Sequence, residues 1–416
     1  MKFSELELIE PLIEATDQLN YKEASPIQEQ AIPILLSGKD LLGCAKTGTG
    51  KTAAFALPIL QRLYLRKDNE KYPRTIKALI LAPTRELAIQ INETFEYMRP
   101  FVNIKSAVIF GGVRQGSQVS KLEKGIDVLV ATPGRLGDLY KQGLLDLKHI
   151  EYFVLDEADR MLDMGFIHDI KKILKMIPSK RQTMMFSATL PDEIKHLVDE
   201  ILNQPERIMV SSGNMTVEKI HQSLYYVDKA NKAKLLIKLL ENPQIFNAIV
   251  FVRTKRNADT LCKKLLKAGV ESESIHGDKS QNARVRALNN FKSCKARVLV
   301  ATDIAARGID IDDLTHVFNF DLPEQAENYV HRIGRTARAG ANGDAITFCC
   351  FQEKDDLKEV EKFIKQQIPV IDNPYYPMTD LSAPVKKGRG NKPKVDKPVT
   401  VKTKSNNKQR KNRYRK

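Results

Sequence analysis

The pentapeptide Val-Leu-Val-Ala-Thr occurs twice in this chain, at residues 128–132 and 298–302, which are 170 residues apart. The same spacing relates Ala78-Leu79-Ile80-Leu81-Ala82-Pro83-Thr84-Arg85 to Ala248-Ile249-Val250-Phe251-Val252-Arg253-Thr254-Lys255. One offset shared by two separate matches identifies a duplicated unit, so the 416 residues divide into two similar domains rather than one enlarged core. Apolar runs at 78–82, 107–110, 128–131, 152–155 and 183–186, then at 247–252, 297–301, 316–320 and 344–350, alternate with helix-like segments. Continuous apolar strands with helices between them predict an α/β fold of two tandem, doubly wound parallel sheets. Residues able to do chemistry follow the strand ends, which is the edge where open parallel sheets bind ligands.

One unit carries a feature the other lacks. Asp40-Leu41-Leu42-Gly43-Cys44 reads as a strand, Ala45-Lys46-Thr47-Gly48-Thr49-Gly50-Lys51-Thr52 as a turn, and Ala53-Ala54-Phe55-Ala56-Leu57 as the helix that follows. Gly48 and Gly50 allow the backbone N–H groups to face an anion, and the helix N-terminus adds its dipole. Lys51 is then placed for the β- and γ-phosphates and Thr52 for a magnesium ion, although Ala45 stands where the pattern has glycine. Displaced by 170 residues, the second unit shows His221-Gln222-Ser223, which has no glycine-lysine pattern. Nucleotide binding is expected in the first unit alone.

A phosphate loop needs an acid on a neighbouring strand, and Asp156-Glu157-Ala158-Asp159 follows the run Tyr152 to Leu155. Asp156 suits the metal, and Glu157 suits the attacking water. The second unit supplies cations in His331-Arg332-Ile333-Gly334-Arg335-Thr336-Ala337-Arg338. Read as a helix, that stretch places Arg335 and Arg338 on one face, as arginine fingers reaching the γ-phosphate when the domains close. A basic helix face touching solvent or nucleic acid is the lesser alternative, and it applies more to Arg332 than to the other two. Near the start, Ser4 and Glu7 form a capping-box pattern ahead of a helix to about Leu19. Ser25, Pro26 and Gln28 start the next helix, which by itself explains Gln28.

The formal charge of +16 is concentrated at one end. Residues 386–416 hold 14 basic residues against the single acid Asp396, leaving only three excess positive charges on the rest of the chain. A segment so poor in apolar residues is expected to be disordered and to favour a polyanion. Five cysteines with no C-x-x-C pair, an acidic rather than apolar start and no run of membrane-spanning length point to a reduced cytoplasmic setting without membrane attachment.

Taken in order, these stretches resemble the DEAD-box RNA helicases of superfamily 2. The set comprises Ala45 to Thr52, Pro83 to Ala88, the Gly111-Gly112 pair, Thr132-Pro133-Gly134-Arg135, Asp156 to Asp159 and Ser187-Ala188-Thr189. In the second half come His276-Gly277-Asp278 with Gln281 and Arg284, then Ala301 to Asp310 and Tyr329 to Gly340. The short basic tail and Thr336 to Gly340 look most like the bacterial RhlE-type branch. The resemblance implies RecA-like domains, with an adenine-recognition segment at 1–30, ATP-binding domain at 31–208, linker at 209–217, second domain at 218–370 and basic disordered tail at 371–416. It also implies ATP and Mg²⁺ as cofactors and RNA as partner, with ribosomal or RNA-decay proteins as further partners.

By that resemblance Gln28 reads the adenine edge, Tyr21 stacks on the ring, Phe3 supports it and Asp310 touches the ribose. Asn20-Tyr21 and Ala24-Ser25 replace the more usual Gly-aromatic and Pro-Thr pairs. RNA backbone contacts fall to Pro83, Thr84, Arg85, Gly111, Gly112, Thr132, Pro133, Gly134 and Arg135, and across the cleft to Arg253, Thr302 and Asp303. Asp159, Ser187, Thr189 and His331 couple the two sites. The implied activity is ATP-driven local unwinding of RNA, with an ATP-gated RNA clamp as the alternative.

Overall fold

The computed structural model describes residues 1–45, 48–66, 74–210, 220–306, 314–336 and 343–381. Lys46, Thr47, Asp310, Arg338 and the tail beyond residue 381 therefore lie outside the described residues. Seven parallel strands form the first sheet: β1 (Leu41–Cys44), β2 (Ala78–Leu81), β3 (Ser106–Ile109), β4 (Val128–Ala131), β5 (Tyr152–Leu155), β6 (Gln182–Ser187) and β7 (Glu206–Met209). Their spatial order is β3-β4-β2-β5-β6-β1-β7. Six more form the second: β8 (Ile220–Tyr226), β9 (Ala248–Phe251), β10 (Ser272–Ile275), β11 (Val298–Ala301), β12 (His316–Asn319) and β13 (Gly343–Cys349), ordered β10-β11-β9-β12-β13-β8. All described pairings are parallel, and β1, β2, β4, β5, β6, β9 and β11 are buried along their whole length, as strands covered by helices on both faces must be.

The two sheets share one strand order, with β7 added at the edge of the first. The repeat offset holds only in the middle, however. β2 and β9, like β4 and β11, start 170 residues apart, whereas β1 and β8 start at Leu41 and Ile220, 179 apart. His221, Gln222 and Ser223 thus lie inside β8 and are not the counterpart of the phosphate loop. That counterpart is the turn Val227-Asp228-Lys229-Ala230-Asn231, which enters the helix Lys232–Leu239 and contains no glycine.

Three further expectations are corrected. The first helix begins at Glu10, not behind Ser4, because Leu6 and Leu8 are drawn into the core and the chain turns at Glu7 with φ 57°. Pro11 then sits in its first turn, where a missing N–H costs nothing. Met209, expected as the first residue of the linker, instead ends the edge strand β7, so the first domain runs one residue further than expected. Finally, residues 371–381 are not part of a disordered tail. Leu224 N donates to Pro369 O and Ile371 N to Leu224 O, both at 2.8 Å, so the chain after the helix Lys354–Ile364 straps along the free edge of β8. Asp228 then accepts from Thr379 N, Thr379 Oγ1 and Asp380 N at 2.8–2.9 Å, which fixes the end of the strap.

Candidate active site and nucleic-acid face

The loop after β1 is built on two left-handed glycines, Gly48 at φ 82° and Gly50 at φ 87°. A Cβ on Gly50 would lie 2.3 Å from Gln28 Nε2, so that position admits glycine on both counts. Lys51 opens the helix Lys51–Leu65 and folds back, its buried ammonium donating to Ala45 O at 2.9 Å. Thr52, in the same first turn, is half-buried. Gln28 serves both readings the sequence offers. Its Oε1 accepts from Ser25 N at 2.8 Å, as a helix-start residue does, while its Nε2 donates to Gly50 O at 3.0 Å. Ser25 Oγ also donates to Thr49 O at 2.7 Å, so the helix Pro26–Leu36 is tied to the loop at two points. Beside it the rings of Phe3 and Tyr21 stack at 6.2 Å and 29°, Phe3 buried and Tyr21 exposed, leaving an aromatic face open.

The acids stand two strands away at the end of β5, across β6. Asp156 is 2% exposed, and burial, reinforced by Glu157 and Asp159, pushes its carboxyl up to about 6 despite Lys51. Glu157 takes a left-handed backbone, φ 52°, a strained conformation for such a side chain and one found at functional sites. Burial opposes its charge, but Arg160, Lys51 and Arg335 together outweigh burial and hold its carboxyl below the usual range. Arg160, three residues along the same turn, forms a buried ion pair with Glu157; sequence reasoning passed over it, although the spacing was visible. Asp159 turns toward β6: Oδ2 accepts from Ala188 N, Thr189 N and Thr189 Oγ1 at 2.8–3.1 Å, and Asp159 N donates to Ser187 Oγ at 3.2 Å. The acidic turn and Ser187-Ala188-Thr189 are therefore one hydrogen-bonded body.

From the second sheet, Arg335 is buried and close enough for its charge to act on Glu157. It does not lie on a helix, as the expected shared face required, and Arg338 lies outside the described residues. The helix Ala326–Ile333 ends at the Gly334 cap, and Arg335 lies in the turn beyond it. His331 is in the last turn of that helix, exposed. Arg332 is no solvent-facing residue: Nε and Nη2 grip Asp303 at 2.6 and 2.7 Å, Nη1 donates to Asp321 O at 2.6 Å, and the guanidinium lies over the Phe251 ring. Asp303, expected along an RNA backbone, is the counter-ion of this buried arginine, with about one quarter of its side chain still open to solvent.

The remaining expected RNA residues line the same strand-end edge. Thr84 caps the helix Arg85–Val102, accepting from Leu87 N at 3.3 Å, with Pro83 buried before it. Gly112, φ 78°, has the Arg85 guanidinium where its Cβ would be, so this glycine and arginine share one space. Thr132 precedes the helix Pro133–Lys141, in which Gly134 is exposed, and Arg135 donates to Val113 O in the loop after Gly111 and to Gln118 Oε1 in the helix Gly116–Glu123 that follows it. Thr302 is buried at the start of the short helix Asp303–Ala306. Arg253, after β9, donates through Nη2 to Asp356 Oδ2 at 2.7 Å and Leu322 O at 2.9 Å.

One junction was missed in the sequence altogether. Glu86, beside Arg85, accepts from Gln281 Nε2 at 3.2 Å and pairs with Arg284 Nη2 at 2.9 Å. All three side chains are buried, so this clasp joins the first-sheet half to the second-sheet half without water between them.

Comparison with known proteins follows the same division. The DEAD/DEAH box helicase profile matches residues 25–197, and the helicase conserved C-terminal domain profile matches residues 231–340. The ATP-dependent RNA helicase CshA of Listeria monocytogenes is 44% identical over 373 residues, covering 90% of this chain and 71% of that protein. Saccharomyces cerevisiae Dbp5 bound to RNA and ADP BeF3, 32% identical, superposes with a TM-score of 0.78 over 89% of this chain and 95% of that one. A variant of Dbp5 bound to Nup159, Gle1, IP6 and ADP, 31% identical, reaches only 0.60 over 88% and 95%. The arrangement of the two sheets is thus nearer to that of the RNA-bound form.

Proposed function

Because the chain belongs to the DEAD-box ATP-dependent RNA helicases, we propose that its two halves divide one catalytic site, the first holding ATP and the catalytic acid and the second completing the site when RNA draws them together. The enzyme is an RNA-dependent ATPase and RNA helicase. Adenine stacks on Tyr21, backed by Phe3, with Gln28 at its edge and Asp310 at the ribose. The loop 45–52 receives the phosphates, and Lys51 exchanges its bond to Ala45 O for phosphate oxygen. Thr52 and Asp156 fit a magnesium ion: a buried carboxyl pushed up to about 6 is a group that a cation would stabilise. Among the described residues no group of three or more acidic, His or Cys side chains could hold a metal, so the other ligands of a magnesium ion here would have to come from phosphate and water. Bound there, magnesium supplies positive charge to the β- and γ-phosphates.

Glu157, held ionised by Arg160, Lys51 and Arg335, orients the attacking water and accepts its proton. Arg335 and Arg338 stabilise the charge that develops on the transferring group. The single observation that carries this reading is the buried junction of Glu86 in the first half with Gln281 and Arg284 in the second, which holds the two strand-end edges together with Arg335 buried in the second half. Arg85, Gly112, Thr132, Arg135, Arg253 and Thr302, with Pro83, Thr84, Gly111, Pro133 and Gly134 shaping their loops, contact the RNA backbone without reading bases. Asp159 with Ser187 and Thr189, and His331 opposite, relay between the two sites. The basic segment 386–416 adds affinity for RNA through phosphate contacts.

On branch, the short basic tail and Thr336 to Gly340 support an RhlE-type reading, whereas the curated relatives matched carry the CshA name. We place the enzyme in the cytoplasm; among the described residues no helix is long and apolar enough to cross a membrane, and the five cysteines are unpaired. Replacing Glu157 by Gln tests the assignment. Nucleotide affinity should remain within a few-fold, while RNA-stimulated turnover should fall by about 10³ or more. Wild-type steady-state ATPase in that variant would remove Glu157 from the role.

A further inference from the structure

Arg253 is the only one of the proposed RNA-contacting arginines whose described partners include a carboxylate. Its Nη2 meets Asp356 Oδ2 at 2.7 Å and Leu322 O at 2.9 Å, and its backbone N donates to Asp321 Oδ2 at 2.9 Å. The acid is not a drifting surface group. It lies in the first turn of the helix Lys354–Ile364, which buries Leu357 and Val360. That helix is also fixed just ahead of Asp356: Glu353 binds the buried Lys232 ammonium at 2.6 Å, and Lys354 stands over the rings of Tyr226 and Phe351. Asp356 is therefore held at the strand-end edge, beside the proposed RNA contact Arg253, with about one third of its side chain open to solvent.

We propose that Asp356 is a built-in counter-ion that competes with RNA phosphate for Arg253 and so limits the affinity of the second domain for nucleic acid. The proposal rests on the reading of Arg253 as an RNA contact and extends it. A phosphate that reaches this guanidinium must displace or share the carboxylate, and the two anions then repel one another. For charges about 6 Å apart at a partly hydrated surface, that repulsion corresponds to roughly a fivefold change in affinity. A helicase that must release its strand after each turnover gains from such a limit, because an RNA contact that is too strong slows release.

The substitution that isolates the charge is Asp356→Asn. Asparagine keeps an oxygen that can accept from Arg253 Nη2 and removes only the negative charge. Equilibrium binding of a fluorescent single-stranded RNA to the full-length protein, saturated with a non-hydrolysable ATP analogue, is measured across a salt series. Asp356→Asn should bind about fivefold more tightly at low salt, and the gain should fade toward 1 M salt, where the screening length is about 3 Å. In an Arg253→Gln background the same change should have no effect, which separates the pair from a general charge effect. Weaker or unchanged binding by Asp356→Asn, or an equal gain in the Arg253→Gln background, overturns the proposal. Unchanged RNA binding by Arg253→Gln alone would instead remove Arg253 from the RNA face, a distinct failure that takes this proposal with it.

Discussion

Lys51 and Lys232 occupy the same place in two copies of one fold, each opening the helix that follows the corresponding strand, β1 or β8. Their surroundings differ in one respect that decides their chemistry. The turn before Lys51 carries two left-handed glycines, so its backbone can wrap an anion. The turn before Lys232 has no glycine, and that lysine is 1% exposed, its ammonium donating to Glu353 Oε2 at 2.6 Å and Phe320 O at 2.7 Å. A carboxylate of the chain itself stands where a phosphate would be in the first domain. Duplication of a phosphate-binding fold thus yields one site that takes a ligand and one whose lysine has become internal structure. On the proposed reading, the second half contributes to hydrolysis through other residues, Arg335 above all.

The comparison breaks most sharply at the two lysines. Lys51→Ala should lose nucleotide binding and turnover by about 10³ or more, with a smaller loss of stability than at Lys232, since its one described hydrogen bond is to a loop carbonyl and it only offsets the charges of Asp156 and Glu157 at a distance. Lys232→Met should do the reverse. Removing it strands Glu353 in the interior, a loss of roughly 3–5 kcal/mol, yet ATP affinity of the folded protein should stay within twofold. Denaturant unfolding and calorimetric nucleotide titration of both variants check this, and loss of ATP affinity in folded Lys232→Met would show that the second turn also binds nucleotide.

Asp156 sharpens the same point, because a ligand-free site carries a cost that a self-satisfied one does not. Its carboxyl is raised to about 6, above an ordinary aspartate near 3.9, so the folded protein binds a proton more tightly than the unfolded chain does. Stability from this group is lost as pH rises between about 4 and 6. Asp156→Asn should therefore stabilise the nucleotide-free enzyme by roughly 1–3 kcal/mol above pH 7 and by little below pH 4, while abolishing magnesium-dependent ATPase. A variant no more stable than wild type at pH 8 would contradict the placement. A smaller effect is expected at the clasp. Glu86→Gln keeps an acceptor for Gln281 but removes the charge facing Arg284, and should raise the RNA concentration needed for half-maximal ATPase about tenfold. Unchanged RNA activation would mean that closure does not depend on the clasp.

Much of this was legible as local strings. The phosphate loop, the acid turn after β5 and the chemistry at strand ends depend on residues within one strand-turn-helix unit, and spacing alone exposes them. What was missed depends on partners distant in sequence. Glu86 and Gln281 are separated by 195 residues, and nothing near either foretells the other. Arg332 reads as one more basic residue on a helix until Asp303 is seen against it. The fixed repeat offset misplaced the counterpart of the phosphate loop because intervening loops differ in length between the copies, which the parallel strand order tolerates. The strap 369–381 escaped notice because its prolines and polar residues look like a linker, although its backbone N–H groups are satisfied by β8 and Asp228.

The central claim is that catalysis is split, with the acid in the first half and the arginine in the second. Arg335→Ala in the full-length protein tests it most directly, with ATP-analogue affinity and RNA-saturated ATPase measured on the same preparation. The account predicts nucleotide affinity within about threefold of wild type and turnover lower by about 10³ or more. Turnover within a few-fold of wild type at saturating RNA would contradict it, because the second half would then supply no group to the reacting phosphate.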